Sequence, residues 1–177
     1  FRKTRAFEGS ARIPFILKAP RSMNLLSGET REEVVELMDV MPTCLEAAGV
    51  DVPDSVDGQS LISRLAGKAD WREVLHGEQG CLGGDYKTGM QFLTDGKEKY
   101  IWEPGYAKEY FFDLIEDPQE CRNLASESGQ DARIQPWRDQ LVEILRDREE
   151  GFVQDDRLVR AKSRKMAPEY EGSTEGW

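Results

Sequence analysis

Cations that could bind an oxyanion are crowded into the first twelve residues. Arg2, Lys3, Arg5 and Arg12 stand there against the single acid Glu8, although the 177-residue chain carries a formal net charge of −10. A lysine ammonium is a compact charge with three donors, and an arginine guanidinium is a planar fork that fits two oxyanion oxygens. A cationic cluster in an acidic protein is therefore a candidate anion-binding site. The alternative interpretation is a set of solvated surface charges.

The only histidine and the three cysteines offer less chemistry. His76 alone would titrate near neutrality, so it is a candidate general acid. Cys44, Cys81 and Cys121 are far apart and form neither a Cys-x-x-Cys pair nor an even disulfide set. No familiar zinc spacing combines His76 with these thiols. Cys44 lies in an apolar helical pattern, which predicts a small core residue rather than a nucleophile.

The acidic residues between positions 51 and 57 partly match the pattern of a calcium-binding EF-hand loop. Asp51, Asp54 and Asp57 precede Gly58, but this spacing puts proline and serine where an EF-hand needs its first two oxygen ligands. Arg64 stands at the closing position. The sequence therefore predicts no metal site within this chain.

Composition excludes several classes of protein. The chain is 38% apolar and 33% charged, which is typical of a soluble globular domain. No apolar run approaches the roughly 20 residues that cross a bilayer, so no membrane span is expected. The acidic balance argues against a nucleic-acid partner, whose phosphates require an excess of lysine and arginine.

The first seventy residues contain one strand pattern and two helix patterns. The apolar run 13–17 predicts a buried strand that leaves a sheet. Asp39 can cap a helix that tolerates Pro42 in its first turn and ends at Gly49. The inward face of that helix is predicted to hold Met41, Leu45 and Ala48. Residues 58–67 predict a turn, a short helix and a glycine stop.

From Trp71 onward the pattern changes to short strands separated by Gly, Asp and Pro. An antiparallel meander of about four strands is predicted, with Asp95-Gly96 as a hairpin turn and strands near 74–76, 88–94, 99–102 and 109–114. Most of the aromatic cluster within it is predicted to be core or sheet surface, although it could stack a sugar. The cluster comprises Tyr100, Trp102, Tyr106, Tyr110, Phe111 and Phe112.

One amphipathic helix over about residues 130–149 should cover a face of that sheet. Its apolar side is predicted to hold Ile134, Trp137, Leu141, Ile144 and Leu145. Residues 151–177 are polar and weakly periodic, which predicts a mostly irregular tail.

Several of these residues carry a resemblance to a known family. Lys3, Glu8-Gly9 and Arg12-Ile13-Pro14 resemble the Lys…Glu-Gly-x-x-Arg-hydrophobic-Pro segment of the sulfatases, which are members of the alkaline phosphatase superfamily. The resemblance covers about residues 1–125. Further motifs follow in the order that the family shows, namely Asp39-Val40-Met41-Pro42-Thr43, Asp57-Gly58-Gln59-Ser60-Leu61, His76-Gly77-Glu78, Lys99-Tyr100-Ile101-Trp102 and Asp117-Pro118…Glu120…Asn123-Leu124.

The resemblance implies an α/β fold class and a hydrolytic function. Residues 1–70 are expected to hold the last strand and helices of an alkaline-phosphatase-like catalytic core. Residues 71–150 would be a C-terminal subdomain of four-stranded antiparallel sheet and covering helix, followed by the tail 151–177. The intact protein is expected to hydrolyse sulfate esters. This chain alone is expected to be inactive, because by the resemblance the nucleophile and the metal ligands lie outside it.

Two cofactors of the intact enzyme are implied by the resemblance. One is a formylglycine made from the first residue of a Cys/Ser-x-Pro-x-Arg motif, which none of the three cysteines begins. The other is Ca²⁺, whose last ligands in the family fall shortly before the position of Lys3. Both groups are therefore expected outside this chain.

The resemblance also implies roles for individual residues. Lys3 is expected to contact the sulfate oxygens and to stabilise charge in the transition state, which makes it the predicted catalytic and substrate-binding residue. His76 is expected at the edge of the substrate pocket, against the alternative of a hydrogen-bonded histidine at a strand end. Glu8 and Arg12 are predicted to be a structural pair that fixes the turn into the first strand, with Gly9 giving that turn its backbone freedom.

Three functions remain open from the sequence. The leading one is a sulfatase acting on a sulfated small molecule or carbohydrate. The second is a phosphodiester or phosphonate monoester hydrolase of the same superfamily, and the third is a module that binds without catalysis. A periplasmic or secreted location is expected from the resemblance alone.

Overall fold

The predicted four-stranded meander is confirmed. The computed structural model describes residues 5–25, 28–80 and 89–161. Its larger sheet is antiparallel where strand pairing is defined and has the strand order β1-β2-β3-β4. The strands are β1 Leu75–Gln79, β2 Met90–Thr94, β3 Glu98–Glu103 and β4 Lys108–Asp113. Together with the helices, this gives the mixed α/β architecture expected from the sequence.

The chain divides into two compact units. One, the sheet unit, joins the residues up to Arg12 with those from His76 onward. The other, the helical unit, is Ile13–Leu75. Residues 5–12 thus belong with the sheet, although they stand more than sixty positions before it. The domain boundaries near residues 70 and 150 stay predictions.

The larger sheet presents two faces, because successive side chains of a strand point to opposite sides. One face carries the cross-strand row Phe92, Ile101 and Tyr110, and the segment 5–12 packs on it. The other carries the row Gln91, Trp102 and Glu109. We call the first the segment face and the second the helix face.

Helix α4, Asp131–Leu145, packs on the helix face. The Trp137 indole donates to Glu98 Oε2 at 2.9 Å, and its ring lies 6.2 Å from that of Phe111. The prediction of the apolar side is confirmed except at Ile144, which is 40% exposed. The buried side chains of α4 are Ile134, Trp137, Leu141, Val142 and Leu145.

Two hairpin turns flank this core. Asp95 Oδ1 accepts from the backbone N–H groups of Lys97 and Glu98 at 2.8 and 2.7 Å, and Gly96 has a φ of 86°, so the predicted Asp-Gly turn is confirmed. Residues 153–158, predicted to be irregular, instead form a second hairpin of β5 Val153–Gln154 and β6 Arg157–Leu158. The physical reason is Phe152, fully buried with its ring edge-on to Trp102 at 5.5 Å, which ties this hairpin to the core.

The helical unit is organised around one buried carboxylate. Asp39 is 1% exposed, and its side chain accepts from the N–H groups of Glu36 and Gln59 at 2.9 and 2.8 Å and from the Arg72 guanidinium at 2.6 Å. The Asp39 carbonyl accepts from the Thr43 hydroxyl, which in turn accepts from Leu61 N–H. This network joins helix α2, Val40–Ala47, to helix α3, Leu61–Leu65.

The ends of these two helices follow the sequence prediction. Gly49 and Gly67 adopt φ values of 70° and 69° just beyond α2 and α3, where a left-handed residue ends a helix. The Ser60 hydroxyl accepts from Ile62 N–H at 3.2 Å and caps α3. Pro42 is tolerated in the first turn of α2.

Three predictions for the helical unit are wrong. Residues 13–17 form no strand, and Ile16 is 91% exposed, since no strand of this unit lies beside them among the described residues. Met41 and Ala48 do not face inward, and Met41 is 54% exposed. Cys44 is exposed and not a core residue. The buried side of α2 includes Thr43, whose hydroxyl donates to the Asp39 carbonyl, so a polar contact holds this side of the helix.

Candidate functional site

Lys3 lies outside the described residues, but the segment 5–12 that follows it is held on the segment face. The Phe7 ring meets those of Tyr110 and Phe112 edge-on at centroid distances of 6.0 and 5.8 Å. Ala6 is buried, and its N–H lies 3.1 Å from Met90 Sδ. The segment therefore contributes apolar side chains to the core of the sheet unit, which favours a defined position for it.

A buried lysine joins this segment to the sheet. Lys99 on β3 has no solvent exposure, and its ammonium donates to the Ala6 carbonyl at 3.0 Å and to the Glu8 carboxylate. Glu120 Oε1 lies 3.1 Å from the same ammonium. One cation is thus enclosed by two carboxylates and a backbone carbonyl. Such partners are required, because an uncompensated ammonium is strongly disfavoured in the interior.

Glu120 belongs to the loop that follows β4, and it contacts the segment directly. Its Oε2 accepts from the backbone N–H of Glu8. The contact of Oε1 with Lys99 is an ion pair whose angles fall outside those of a hydrogen bond. Glu120 has a φ of 55°, a left-handed conformation that non-glycine residues adopt rarely. Glu120, which binds the segment 5–12, is thus held in an unfavourable backbone conformation.

Side chains on both sides of Glu120 fix its loop. Asp117 Oδ2 accepts from Arg122 N–H at 2.7 Å. Asn123 Oδ1 accepts from Phe111 N–H at 2.9 Å and from Ala125 N–H at 3.0 Å, and its amide donates to the Glu109 carbonyl at 3.2 Å. Asn123 thereby attaches the loop to β4.

A second ion pair anchors the start of the segment. The Arg5 guanidinium pairs with Glu103, whose side chain is 4% exposed and also accepts from the Tyr110 hydroxyl at 3.2 Å. Two strands of the sheet thus hold Arg5, through a glutamate on β3 and a tyrosine on β4. We call the group Arg5, Glu8, Lys99, Glu103 and Glu120 the charge clamp.

The predicted pairing of Glu8 with Arg12 is a minor feature. Their nearest atoms are 3.8 Å apart, and the Arg12 side chain is 69% exposed, so this contact contributes little. The main partner of Glu8 is Lys99. Gly9 lies inside the short helix α1, Glu8–Ala11, so the expectation that it supplies unusual backbone freedom is wrong.

His76 lies on the helix face, opposite the segment 5–12. Its Nε2 is 2.8 Å from Gln91 Oε1, and Gln91 is 1% exposed. The Gln91 amide donates to Glu78 at 3.2 Å, which leaves Oε1 as an acceptor and makes His76 Nε2 the donor. Glu78 also pairs with Arg148 at 3.0 Å. This is the arrangement of a hydrogen-bonded strand histidine, and the substrate-pocket role of His76 stays a prediction.

Gly77 allows β1 to pass close to the Phe92 ring of the neighbouring strand. A Cβ at this position would be 2.2 Å from the Phe92 ring, so only glycine allows this approach. The His76-Gly77-Glu78 triplet thus alternates two polar side chains on the helix face with a contact on the segment face.

The helix face carries its own charged group, built on Glu109. Burial would raise the pKa of Glu109, but hydrogen bonds from Arg138 and Tyr100 outweigh this effect and hold the pKa below its ordinary value. The Arg138 guanidinium contacts both carboxylate oxygens at 2.7 Å. Burial, reinforced by Glu109, raises the pKa of the Tyr100 phenol well above its usual range, so this hydroxyl is a fixed donor.

The aromatic side chains mostly form core, as predicted. Tyr100, Trp102, Phe111 and Phe112 are at most 2% exposed. Tyr106 is 52% exposed. A sugar-stacking surface made from the whole cluster is therefore excluded.

The described residues do not assemble a complete catalytic centre. Across residues 5–25, 28–80 and 89–161, no group of three or more His, Cys, Asp or Glu could hold a metal ion. Cys44 and Cys121 are exposed free thiols, and Cys81 lies outside the described residues. No described helix is long and apolar enough to span a membrane.

Sequence reasoning did not single out the charge clamp. Lys99 and Glu120 stand in two of the family motifs, but nothing in the sequence shows that a segment near position 8 reaches them. One signal is available for Lys99, which alternates with Ile101 on one side of a strand that also carries Glu98 and Glu103. A lysine on the buried side of a strand requires an acidic partner.

Comparison with known proteins places most of the chain in one family. The sequence profile described as "N-sulphoglucosamine sulphohydrolase, C-terminal" matches residues 1–147. An arylsulfatase of Clostridium perfringens is 37% identical over 164 residues, which are 90% of this chain and 33% of that protein. An N-acetylglucosamine-6-O-sulfatase of Bacteroides thetaiotaomicron is 25% identical over 173 residues, or 88% of this chain and 28% of that protein.

A solved structure shares the fold. The phosphonate monoester hydrolase SpPMH of Silicibacter pomeroyi aligns with a TM-score of 0.59 and 23% identity, over 69% of this chain and 27% of that one. The chain thus spans about a third or less of the length of these relatives.

Proposed function

Because the chain belongs to the N-sulphoglucosamine sulphohydrolase C-terminal family of the sulfatases, we propose that it is the C-terminal part of an enzyme that hydrolyses sulfate esters. The observation that carries the proposal is the family match over residues 1–147. The arylsulfatase similarity over 90% of the chain supports the same activity.

Lys3 is the residue proposed to act on the substrate. Its ammonium would contact the sulfate oxygens and stabilise the negative charge that develops in the transition state. The contacts of the following residues support this role, because a preorganised cation is far more effective than a mobile one. His76 is proposed as a second substrate contact, supported by its place beside Glu78 on an edge strand of the sheet.

A sulfated carbohydrate is the proposed substrate class. The name of the matching family contains a sulfated amino sugar, N-sulphoglucosamine, and one relative is an N-acetylglucosamine-6-O-sulfatase. The exposed ring of Tyr106 is available for contact with a sugar, whereas Tyr100, Trp102, Phe111 and Phe112 are buried.

The proposed cofactors of the intact enzyme are a formylglycine nucleophile and Ca²⁺. The described residues do not fit either group, since they contain no cluster able to hold a metal ion and the sequence contains no Cys-x-Pro-x-Arg or Ser-x-Pro-x-Arg motif. What this chain's own residues supply is therefore limited to placing charge and shaping the site around Lys3.

Turnover by the full-length protein tests the proposal. We expect hydrolysis of an aryl sulfate to exceed that of an aryl phosphonate, and Lys3→Met to lower kcat/KM for the sulfate by about 10²-fold. Lys18→Met, which removes an exposed lysine elsewhere near the start of the chain, is the matched control and should leave the rate unchanged.

Two other results would redirect the assignment. A higher rate on the phosphonate would favour the phosphonate monoester hydrolase alternative. Binding of a sulfated glycan without turnover, by a protein whose gene lacks Cys/Ser-x-Pro-x-Arg, would favour the non-catalytic module.

A further inference from the structure

We propose that Lys99 and Glu120 are positioning residues for Lys3, because their buried charges fix the segment that follows Lys3 to the sheet. This inference rests on the proposed function and extends it to residues that do not touch the substrate. It assigns to the C-terminal sheet a part in catalysis, through the charge clamp defined above.

The covalent chain limits how far Lys3 can lie from the anchored residues. Consecutive Cα atoms are 3.8 Å apart, so the Cα of Lys3 lies within about 8 Å of that of Arg5. Arg5 and Ala6 are themselves anchored, Arg5 to Glu103 and Ala6 through its carbonyl to Lys99 at 3.0 Å. A shift of residues 5 and 6 would therefore move the anchored point from which the chain reaches Lys3.

The sheet unit holds the segment 5–12 by backbone groups of that segment. Lys99 donates to the carbonyl of Ala6, and Glu120 accepts from the N–H of Glu8. These contacts do not depend on the segment's side chains. The position of the segment is consequently set by residues that lie about a hundred positions later in the chain.

The side chains of the charge clamp have few alternative positions in which their charges would be paired. Lys99 is fully buried, and the Glu120 side chain is 3% exposed. The Lys99 ammonium is enclosed by the segment and by Glu120. A small shift of the segment would weaken its contacts with the Ala6 carbonyl and the Glu8 carboxylate while the charge stays largely shielded from water, which is unfavourable. The left-handed backbone at Glu120 also indicates a fixed position for this residue, since such a conformation persists only where the surrounding contacts stabilise it.

The helix face supplies a matched control. Glu109 with Arg138 is also a partly buried ion pair of the same sheet, at 2.7 Å, but it joins β4 to α4 and does not contact residues 5–12. Glu120→Gln and Glu109→Gln are both isosteric and both weaken one ion pair. They differ in which face of the sheet they affect.

The experiment measures kcat, KM and amide exchange in the full-length protein. We expect Glu120→Gln to lower kcat on an aryl sulfate by about 10-fold and Lys99→Met by up to about 10²-fold, the loss caused by misplacing a reacting group by about 1 Å. Amide exchange of residues 6–11 should quicken in both variants. Glu109→Gln should leave kcat and that exchange unchanged.

A double variant separates positioning from general damage. If Glu120 acts through Lys3, adding Glu120→Gln to Lys3→Met should not lower kcat further, because coupled residues are not additive. Additive losses would overturn the inference, as would equal losses of kcat in the Glu120 and Glu109 variants. Should Lys99→Met fail to fold, the isosteric Glu120→Gln decides alone.

The outcomes also distinguish this inference from the proposed function. Full sulfatase activity in a Glu120→Gln variant whose segment exchanges faster would reject positioning and leave the sulfatase assignment intact. An inactive wild-type protein with slow exchange at residues 6–11 would reject the assignment, and the catalytic part of the inference with it, while confirming the clamp.

Discussion

The two units of this chain are stabilised by different kinds of interaction. The sheet unit buries large apolar side chains on both faces of one sheet, among them Trp102, Phe112 and Leu141. Among its described residues, the helical unit buries Leu61 but leaves its other large apolar side chains exposed or only partly buried. Nine of the twelve exposed large hydrophobic residues in the described chain lie in it, namely Ile13, Ile16, Leu17, Leu37, Met38, Val40, Met41, Val50 and Val52.

The helical unit is therefore specified largely by polar contacts. Asp39 satisfies two backbone N–H groups and one guanidinium, and Arg72 also pairs with Glu36. Packing lends little support there, so a single polar substitution should matter as much as a core substitution does in the sheet unit.

Trp102→Ala should be the most damaging change, with a loss of about 4 kcal/mol in the free energy of unfolding of the sheet unit. The indole is 2% exposed and meets Phe152 edge-on, so its removal leaves a large cavity. Urea denaturation measures the loss. Ile115→Ala, at a side chain that is 67% exposed, is the control and should change stability by less than about 0.5 kcal/mol.

Asp39→Ala should destabilise the helical unit by about 3 kcal/mol, because it removes one of the two carboxylate partners of Arg72 and the acceptor of two partly buried backbone N–H groups. Amide exchange resolved by residue is the measurement, since it reports the two units separately. We expect faster exchange within residues 36–65 and no change in β3. A loss no larger than that of the exposed Asp51→Ala would contradict a polar basis for this unit.

Glu109→Gln should cost about 1 kcal/mol at neutral pH, and the cost should vanish in acid. Its folded pKa lies below the ordinary value, so the carboxylate stabilises the fold above the unfolded pKa of roughly 4.3, and this stabilisation is lost as the pH falls through the folded pKa. Thermal unfolding of wild type and variant between pH 7 and 3 measures the difference. Glu149→Gln, at an exposed residue, should show no such convergence.

Met41→Gln should have the smallest effect, a change of less than about 0.5 kcal/mol. Although Met41 sits on a helix with an apolar pattern, it is 54% exposed. Leu61→Ala in the same unit, at a side chain that is 4% exposed, should cost at least about 2 kcal/mol. Equal losses in the two variants, measured by urea denaturation, would show that Met41 is buried in solution.

The sheet unit was the more predictable from sequence, and its local patterns explain why. Alternating apolar residues separated by Asp95-Gly96 define a hairpin without reference to the rest of the chain. The hairpin at 153–158 was missed, although its turn had a signal. Asp155 and Asp156 adopt φ values of 48° and 54°, a conformation that aspartate tolerates better than most residues.

The helical unit was less predictable, because periodicity shows which residues share a face and not whether that face has a partner. This is why Met41 and Cys44 were expected inside and lie outside. The charge clamp could not be predicted for a related reason, since Glu8 and Lys99 are 91 positions apart and no local pattern connects them. Lys3 and the family came from motif order, which local physics does not supply.

The separation between Ala6 and Lys99, 93 positions, has a consequence for how the protein is made. At the usual synthesis rate of about 5–20 residues per second, the segment waits on the order of ten seconds before the strands that hold it leave the ribosome. Docking it then closes a loop that contains the whole helical unit, an event of high contact order and therefore slow. Residues 5–12 thus emerge before the helical unit and find their place only after the strands that follow it.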